Sequence, residues 1–540
     1  MIKTTGNIKV KLGFGTIIGI MSLILGIGQF SDKATAGGVY RQTKHGNTST
    51  GVYRLSNQPR GDCIQCHYQH ASIDGSATGG PYPYLLFAQN NNSLCYTSGC
   101  HDGSAANKIY QGSATYNQSG HNNSANTLWP GPTPWARKSG EVGQCINCHD
   151  PHGYSDSQGL IPAMTFSREE NLCKTCHDSN GPATYDIASE LIKNNGQHSI
   201  QHYIAYSSYT GRHDESEGND PTKYGSVNRH NECVDCHNPH LSRSGTHSMP
   251  TNVASEMLRG INGIKVTNGS GGSTPSYTYI SPDAVSEHPS GREGVAYEYQ
   301  VCFKCHSSWA PGLTNITYPS YPSFKVTDVS VEFNPNNRAH HPVEAQGNNQ
   351  SSHANYALTF VNPITKSSQI YCSDCHSSEQ NTGNSFHPQG PHGSFNKSIL
   401  AGSSESNANV CWKCHRQEVY NDGSYGTDST RALSRFTHSY GAADEHFNAT
   451  YNVWQNPCLN CHGGGAVGGI HGTNAGQGTY GTANLGDHFM NGVNIAGFTA
   501  GTAGASGSGS CWTPSGSTLF GSCHEHSSSS SENWTPNYEY

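Results

Sequence analysis

Residues 145–153 read Cys-Ile-Asn-Cys-His-Asp-Pro-His-Gly, which puts two thiols and two imidazoles on one loop of nine residues. The theme recurs along the whole chain. Eight Cys-x-x-Cys pairs are each followed at once by histidine. The first four are Cys63, Cys66 and His67; Cys145, Cys148 and His149; Cys173, Cys176 and His177; and Cys233, Cys236 and His237. The others are Cys302, Cys305 and His306; Cys372, Cys375 and His376; Cys411, Cys414 and His415; and Cys458, Cys461 and His462. The remaining four cysteines form stretched versions. Cys95 and Cys100 with His101 have four residues between the cysteines, and Cys511 and Cys523 with His524 have eleven. This accounts for all twenty cysteines, and the second of every pair precedes a histidine although only 31 of 540 residues are histidine.

Disulfides would use an even number of cysteines but leave ten histidines unexplained. Zinc held by paired Cys-x-x-Cys units leaves them idle as well. Cys-x-x-Cys-His is the attachment signature of c-type haem. Two thiols add across the porphyrin vinyl groups, the two-residue spacing sets both sulfurs on one haem edge, and the next residue lies under the iron as its proximal ligand. Ten sites therefore predict about ten covalently attached haem c groups. The twenty cysteines are the expected thioether anchors. His67, His101, His149, His177, His237, His306, His376, His415, His462 and His524 are the expected proximal ligands.

Each iron has a second axial position. Ten proximal histidines leave 21 of the 31, whereas only Met164, Met249, Met257 and Met490 lie beyond the first 36 residues. Histidine on both faces is the default expectation, and it poises iron at lower potential than His/Met ligation. In the opening loop, His152 sits three residues past His149, a reach of roughly 10 Å, and Pro151 stiffens the path. His152 is thus expected to ligate a neighbouring haem, so that one loop holds two irons. His70 in Cys-His-Tyr-Gln-His, His240 in Cys-His-Asn-Pro-His, His392 in Gly-Pro-His-Gly and His471 in Gly-Ile-His-Gly occupy related places. Five further distal ligands are expected from histidines ahead of each repeat: His45; His121; His202 from a group with His198, His213 and His230; His341 from a group with His340 and His353; and His438 from a group with His446.

The elements that must position these groups form an internal repeat. An expected signal peptide (1–36) precedes five dihaem units, 37–115, 116–190, 191–325, 326–425 and 426–540. Hydrophobic residues make up 33% of the chain and charged residues 13%, with 63 glycines and 26 prolines. Such a composition builds no ordinary apolar core. Flat, apolar, covalently bound haems are expected to supply it. The fold class expected is mostly irregular coil with short helices and few strands, built around a chain of haems. Ser167–Glu170 matches a capping box that starts a short helix into Cys173–His177. Val329–Phe333 alternates like a brief strand, and spacers such as Thr267–Ser276 and Gly492–Ser510 read as coil. Gly463–Gly468 satisfies a dinucleotide-binding pattern but follows an attachment site rather than a strand, so it is read as a loop.

Lys3, Lys9 and Lys11 open a basic stretch, an apolar run follows to Gly28, and Ala34-Thr35-Ala36 gives a cleavage pattern. The rival reading is an uncleaved anchor. Removal of 1–36 takes away four lysines and one aspartate, moving the net charge from −8 to −11. That balance argues against a nucleic-acid partner. No later segment reads as a membrane span, and export to the cell exterior is expected, with the periplasm second.

The five paired units, notably Cys-Ile-Asn-Cys-His-Asp-Pro-His with Cys-Lys-Thr-Cys-His, resemble the doubled C-x-x-C-H multihaem cytochromes exported by metal-reducing bacteria. The resemblance covers most of residues 45–526, and the two stretched sites depart from it. It implies electron transfer to metal oxides, electrodes or partner proteins, and for some members head-to-tail filaments. From the residues themselves, two ligands on each iron leave no position for a reactant, so an electron carrier rather than an enzyme is expected. The alternative is a multihaem oxidoreductase acting on nitrite, hydroxylamine or a sulfur oxyanion, and a purely structural surface polymer is a third reading.

Overall fold

The computed structural model describes residues 40–68, 72–73, 76–77, 82–96, 100–101, 119–123, 143–156, 159–161, 169–193, 232–245, 247–285, 287–310, 317–318, 321–325, 328–337, 339–347, 360–379, 388–402, 410–415, 447–448, 453–454, 471–473, 479–480 and 483–484. The expected signal peptide, His70, His202, His438, Gly463–Gly468 and Gly492–Ser510 lie outside them. So do two expected attachment sites, the one with Cys458, Cys461 and His462 and the stretched one with Cys511, Cys523 and His524. The chain divides into two compact units. One comprises Met1–Thr115 with Gly131–Leu172, the other Tyr116–Pro130 with Cys173–Tyr540.

Attachment sequences fold into single helical turns, because a two-residue spacing brings the histidine amide back to the first cysteine carbonyl. The amides of His67, His149, His177, His237, His376 and His415 donate to Cys63, Cys145, Cys173, Cys233, Cys372 and Cys411 at 2.8–3.0 Å. His101, in the stretched site, closes the same bond to Cys95 at 3.1 Å. Turns this short are not stable alone, and local caps hold several. Asp235 Oδ2 accepts from the Glu232 amide at 2.7 Å, and Asp374 Oδ2 from the Tyr371 amide at 2.9 Å. Each satisfies a backbone N–H at the start of a turn. The helix Glu169–Lys174 carries Cys173 and opens on two glutamates, the charge favoured at a helix N-terminus. The longest helix among the described residues is Tyr299–His306, eight residues.

In the first unit the packing is largely polar. Gln65, inside Cys-Ile-Gln-Cys-His, is fully buried. Its amide nitrogen donates to the carbonyls of Leu55 and Pro59 at 3.1 and 3.0 Å, and its Oε1 accepts from the Leu55 amide at 2.7 Å. One attachment-loop residue thereby knits the preceding loop to its site.

The second unit has an apolar core. The hairpin Gly263–Thr267 with Ser276–Ile280 runs antiparallel from Gly263↔Ile280 to Thr267↔Ser276. The expected coil at Thr267–Ser276 is thus only the tip, and its two end residues are the last rung. Ile264 of the hairpin packs with Phe303, Phe333, Val343 and Ile370, and Ala254, Leu258, Ile261, Val295 and Val301 form a second cluster. Phe303 lies between the cysteines of its own site and is fully buried. Burial of such a side chain stabilises by roughly 1.5–3 kcal/mol. Gly294 has φ +85° and lies where an added Cβ would sit 2.7 Å from the Ile261 backbone, so only glycine fits that crossing.

The brief strand expected at Val329–Phe333 is corrected: Val329–Glu332 is one helical turn. Asp328 Oδ1 accepts from the Ser330 amide at 3.1 Å and the Phe333 amide closes on Val329 at 2.9 Å. Four residues cannot distinguish a period of two from 3.6, and the cap decides. The described fold is otherwise mostly coil with two-stranded pairings, and no helix among the described residues is long and apolar enough to cross a membrane.

Candidate haem centres

None of the sixteen described cysteines is in a disulfide. Cys148 is one of them: it ends the helical turn Cys145–Cys148 and is half-buried. Of the expected anchors, Cys458, Cys461, Cys511 and Cys523 lie outside the described residues.

Above five of the described sites stands a second histidine. In the first unit, the rings of His67 and His152 face each other with centroids 5.9 Å apart, and so do those of His45 and His101. In the second unit, His121 faces His177 at 6.2 Å, His237 faces His392 at 6.1 Å, and His376 faces His471 at 5.9 Å. An imidazole nitrogen bonds a first-row metal at about 2 Å, and the ring centroid lies about 1 Å behind it. Two imidazoles trans across one iron therefore have centroids about 6 Å apart, so all five pairs leave the room an iron needs.

The outward ring nitrogens are anchored. Nδ1 of His67 bonds the Tyr84 carbonyl at 2.9 Å, that of His237 the Met257 carbonyl at 3.2 Å, and that of His376 the Ser398 carbonyl at 2.8 Å. His45 reaches the Pro151 carbonyl at 3.3 Å and His121 the Pro239 carbonyl at 2.8 Å. His471 Nδ1 meets Glu332 Oε2 at 2.7 Å. A carbonyl can only accept, so Nδ1 carries the proton and Nε2 keeps its lone pair for a metal. Burial first, then neighbouring histidines, pushes His177 down to about 4, and burial likewise lowers His45, His101 and His237. Neutral imidazole is the ligating form.

Two of the supporting carbonyls sit in strained backbone. Tyr84 and Leu85 have φ of 64° and 57°, and Ser398 and Ile399 have 57° and 55°. In both places the chain then bridges back to the attachment site, His67↔Leu86 and His376↔Leu400. Left-handed residues with side chains cost free energy, and here they aim a carbonyl at the proximal ring.

Three other histidines, His288, His340 and His247, bond through their rings to the protein itself. His288 has Nε2 3.1 Å from the Ala254 carbonyl, and its Nδ1 accepts from the Ser290 amide at 3.1 Å. His340 places Nε2 3.2 Å from the Gln346 carbonyl, whereas the His341 amide bonds the His471 carbonyl at 2.9 Å. His247 stacks on Tyr371 at 4.3 Å and bonds Ser373 Oγ at 2.8 Å. His240 follows Pro239 in the second unit, and its amide bonds Asn238 Oδ1 at 3.0 Å. His149 and His415 end their turns, His306 ends its helix, and Phe360 packs on His415 at 5.5 Å.

The thiols also approach one another between sites. Cys95 and Cys145 are hydrogen-bonded, which raises Cys95 and lowers Cys145, and Tyr96 Oη lies 4.0 Å from the Cys145 sulfur. Cys302 and Cys372 are likewise hydrogen-bonded, and the sulfurs of Cys173 and Cys233 lie within 4.8 Å. Burial pushes Cys66, Cys176 and Cys375 up to about 11 and Cys414 up to about 12. As thioethers these sulfurs no longer titrate, so the shifts record only how closely the sites are packed. Lys304 Nζ donates to the Asp235 carbonyl and to Asn262 Oδ1, both at 2.7 Å, and Lys413 Nζ donates to the Asp374 carbonyl.

Sequence reasoning missed the carbonyl supports and the lysine clamps. A signal for the clamps was present, since Cys-x-Asp-Cys-His is followed by Cys-x-Lys-Cys-His in two successive repeats. Residues 138–182 match the family described as the doubled CXXCH motif, a stretch containing the site at Cys145, Cys148 and His149, then His152, and the site at Cys173, Cys176 and His177. No curated protein and no solved structure matches the chain. The doubled motif indicates covalently bound haem c in a multihaem c-type cytochrome, a protein of electron transfer.

Proposed function

We propose that each facing histidine pair closes one haem iron from both sides and that the chain is an electron carrier rather than an enzyme. Bound haem c supplies a reversible one-electron couple. The chain's own residues do the rest: cysteines anchor, His67, His101, His177, His237 and His376 ligate from the attachment side, and His152, His45, His121, His392 and His471 cap the opposite side. The observation that carries this reading is the common gap of 5.9–6.2 Å, with one nitrogen of at least one ring in every pair already tied back. A capped iron offers no position to nitrite, hydroxylamine or a sulfur oxyanion.

About ten haems per chain, export, and delivery of electrons to metal oxides, electrodes or partner proteins complete the proposal, with head-to-tail homopolymers as the larger assembly. The leader-like N-terminal stretch supports the exported setting. Intact mass of the purified holoprotein counts the haems, and magnetic circular dichroism reads their spin state. Ten haem masses and low-spin iron throughout are expected. A dominant high-spin population with turnover of nitrite or hydroxylamine refutes the reading.

A further inference from the structure

The contacts between sites follow a rule that goes beyond axial ligation. Between one repeat and the next, the first cysteine of the earlier repeat's second site meets the first cysteine of the later repeat's first site: Cys95 with Cys145, Cys173 with Cys233, Cys302 with Cys372. Side chains just ahead of the earlier site reinforce two of these contacts. Asn92 Oδ1 accepts from the Cys145 amide at 2.9 Å, and Glu298 Oε2 accepts from the Ser373 amide at 3.2 Å. Within a repeat the opposite edges meet. Cys66 and Cys100, Cys236 with both Cys302 and Cys305, and Cys375 and Cys414 lie near enough for their charges to interact. The lysine clamps Lys304–Asp235 and Lys413–Asp374 tie the last two of these pairs together.

The histidine supports join the same neighbours. His45, facing His101, leans on the carbonyl of Pro151, two residues after His149. His121, facing His177, leans on that of Pro239, two residues after His237.

We infer that the attachment sites form a ladder in sequence order, with first-cysteine and second-cysteine edges alternating from rung to rung. The order is Cys63, Cys95, Cys145 in the first unit and Cys173, Cys233, Cys302, Cys372, Cys411 in the second. Within each unit, a site with two neighbours touches its predecessor through one thioether edge and its successor through the other. This rests on the haem-binding reading above and adds the path to it. An electron leaves one ferrous iron, which becomes ferric, and reduces the next ferric iron, with no proton or leaving group moved. A low-potential donor feeds the ladder and a one-electron acceptor drains it. Among the described sites of each unit, sequence neighbours are then the near partners, which gives one route through them.

The test is a high-resolution electron cryomicroscopy map of the holoprotein, in which every iron is located. The iron held by Cys302 and Cys305 is expected to have those held by Cys233 and Cys236 and by Cys372 and Cys375 as its nearest neighbours. The iron held by Cys95 and Cys100 is expected between those held by Cys63 and Cys66 and by Cys145 and Cys148. A nearest neighbour from a non-consecutive site, at either place, overturns the ladder. Order and ligation are read separately in the same map. A different order with imidazoles on both faces refutes this inference alone, whereas irons lacking a second imidazole refute the reading on which it rests.

Discussion

Replacing His392 by alanine isolates one iron's cap without touching its anchors. His392 faces His237 across 6.1 Å with ring planes 15° apart, while Cys233, Cys236 and the bond from His237 Nδ1 to the Met257 carbonyl are all elsewhere. His392 belongs to a tight turn in which its amide bonds the Gly390 carbonyl at 2.9 Å. That turn is held from outside by the Ser378 amide on the same carbonyl at 3.1 Å, so it survives truncation. The alanine leaves a ring-sized gap above the iron, too wide for any side-chain atom of residue 392 to close. One iron per chain should become five-coordinate or take up water. With ten attachment sequences in the chain, about a tenth of the haem should turn high-spin. Titration of the reduced protein with carbon monoxide should then show about one added equivalent bound per chain, and free imidazole should reverse the change. His288→Ala is the control, since both ring nitrogens of that histidine already serve the backbone. Unchanged carbon monoxide uptake in His392→Ala, or an equal gain in His288→Ala, would defeat the assignment.

Two further outcomes follow from the same geometry. Near-parallel ligand planes split the iron d orbitals and near-perpendicular planes leave two of them almost degenerate. The pairs His67–His152 and His237–His392, at 19° and 15°, should give ordinary rhombic low-spin resonances, and His45–His101 and His121–His177, at 68° and 84°, strongly anisotropic ones. Frozen-solution electron paramagnetic resonance of the oxidised protein showing a single class contradicts the ring orientations. Burial pushes the Glu344 carboxyl from 4.5 up to about 8, against the bond from Asn268 Nδ2 at 2.7 Å, which favours the charged form. A folded-state pKa above the unfolded one gives stability that is complete below about pH 4.5 and is lost as pH rises through about 8. Urea midpoints should therefore fall between about pH 5 and 9, and Glu344→Gln should flatten that fall. An identical slope in the variant rejects the assignment.

Attachment chemistry is written locally. Cysteine, cysteine and histidine within five residues close one hydrogen-bonded turn, and even the stretched site of Cys95, Cys100 and His101 returns its histidine amide to the first carbonyl. The sequence by itself therefore determined where each attachment turn closes and that most of the chain is coil, whereas the apolar clusters around Phe303 and Val295, which the composition argued against, came only with the fold. The expectation that His152 serves a different haem from His149 also came from local geometry, through the short reach past Pro151, and it is His67 that His152 faces.

Which histidines face each other was decided only by the path of the chain. His67 and His152 are 85 residues apart, and His237 and His392 are 155 apart. No propensity acts over such distances. A regularity did exist in the numbers, since His45 and His121 each precede the histidine they face by 56 residues, but two instances mean nothing until the rings are seen together. The carbonyls that fix Nδ1 were invisible for another reason. Every residue has a carbonyl, so only the fold, down to left-handed turns at Tyr84 and Ser398, says which one points at an imidazole.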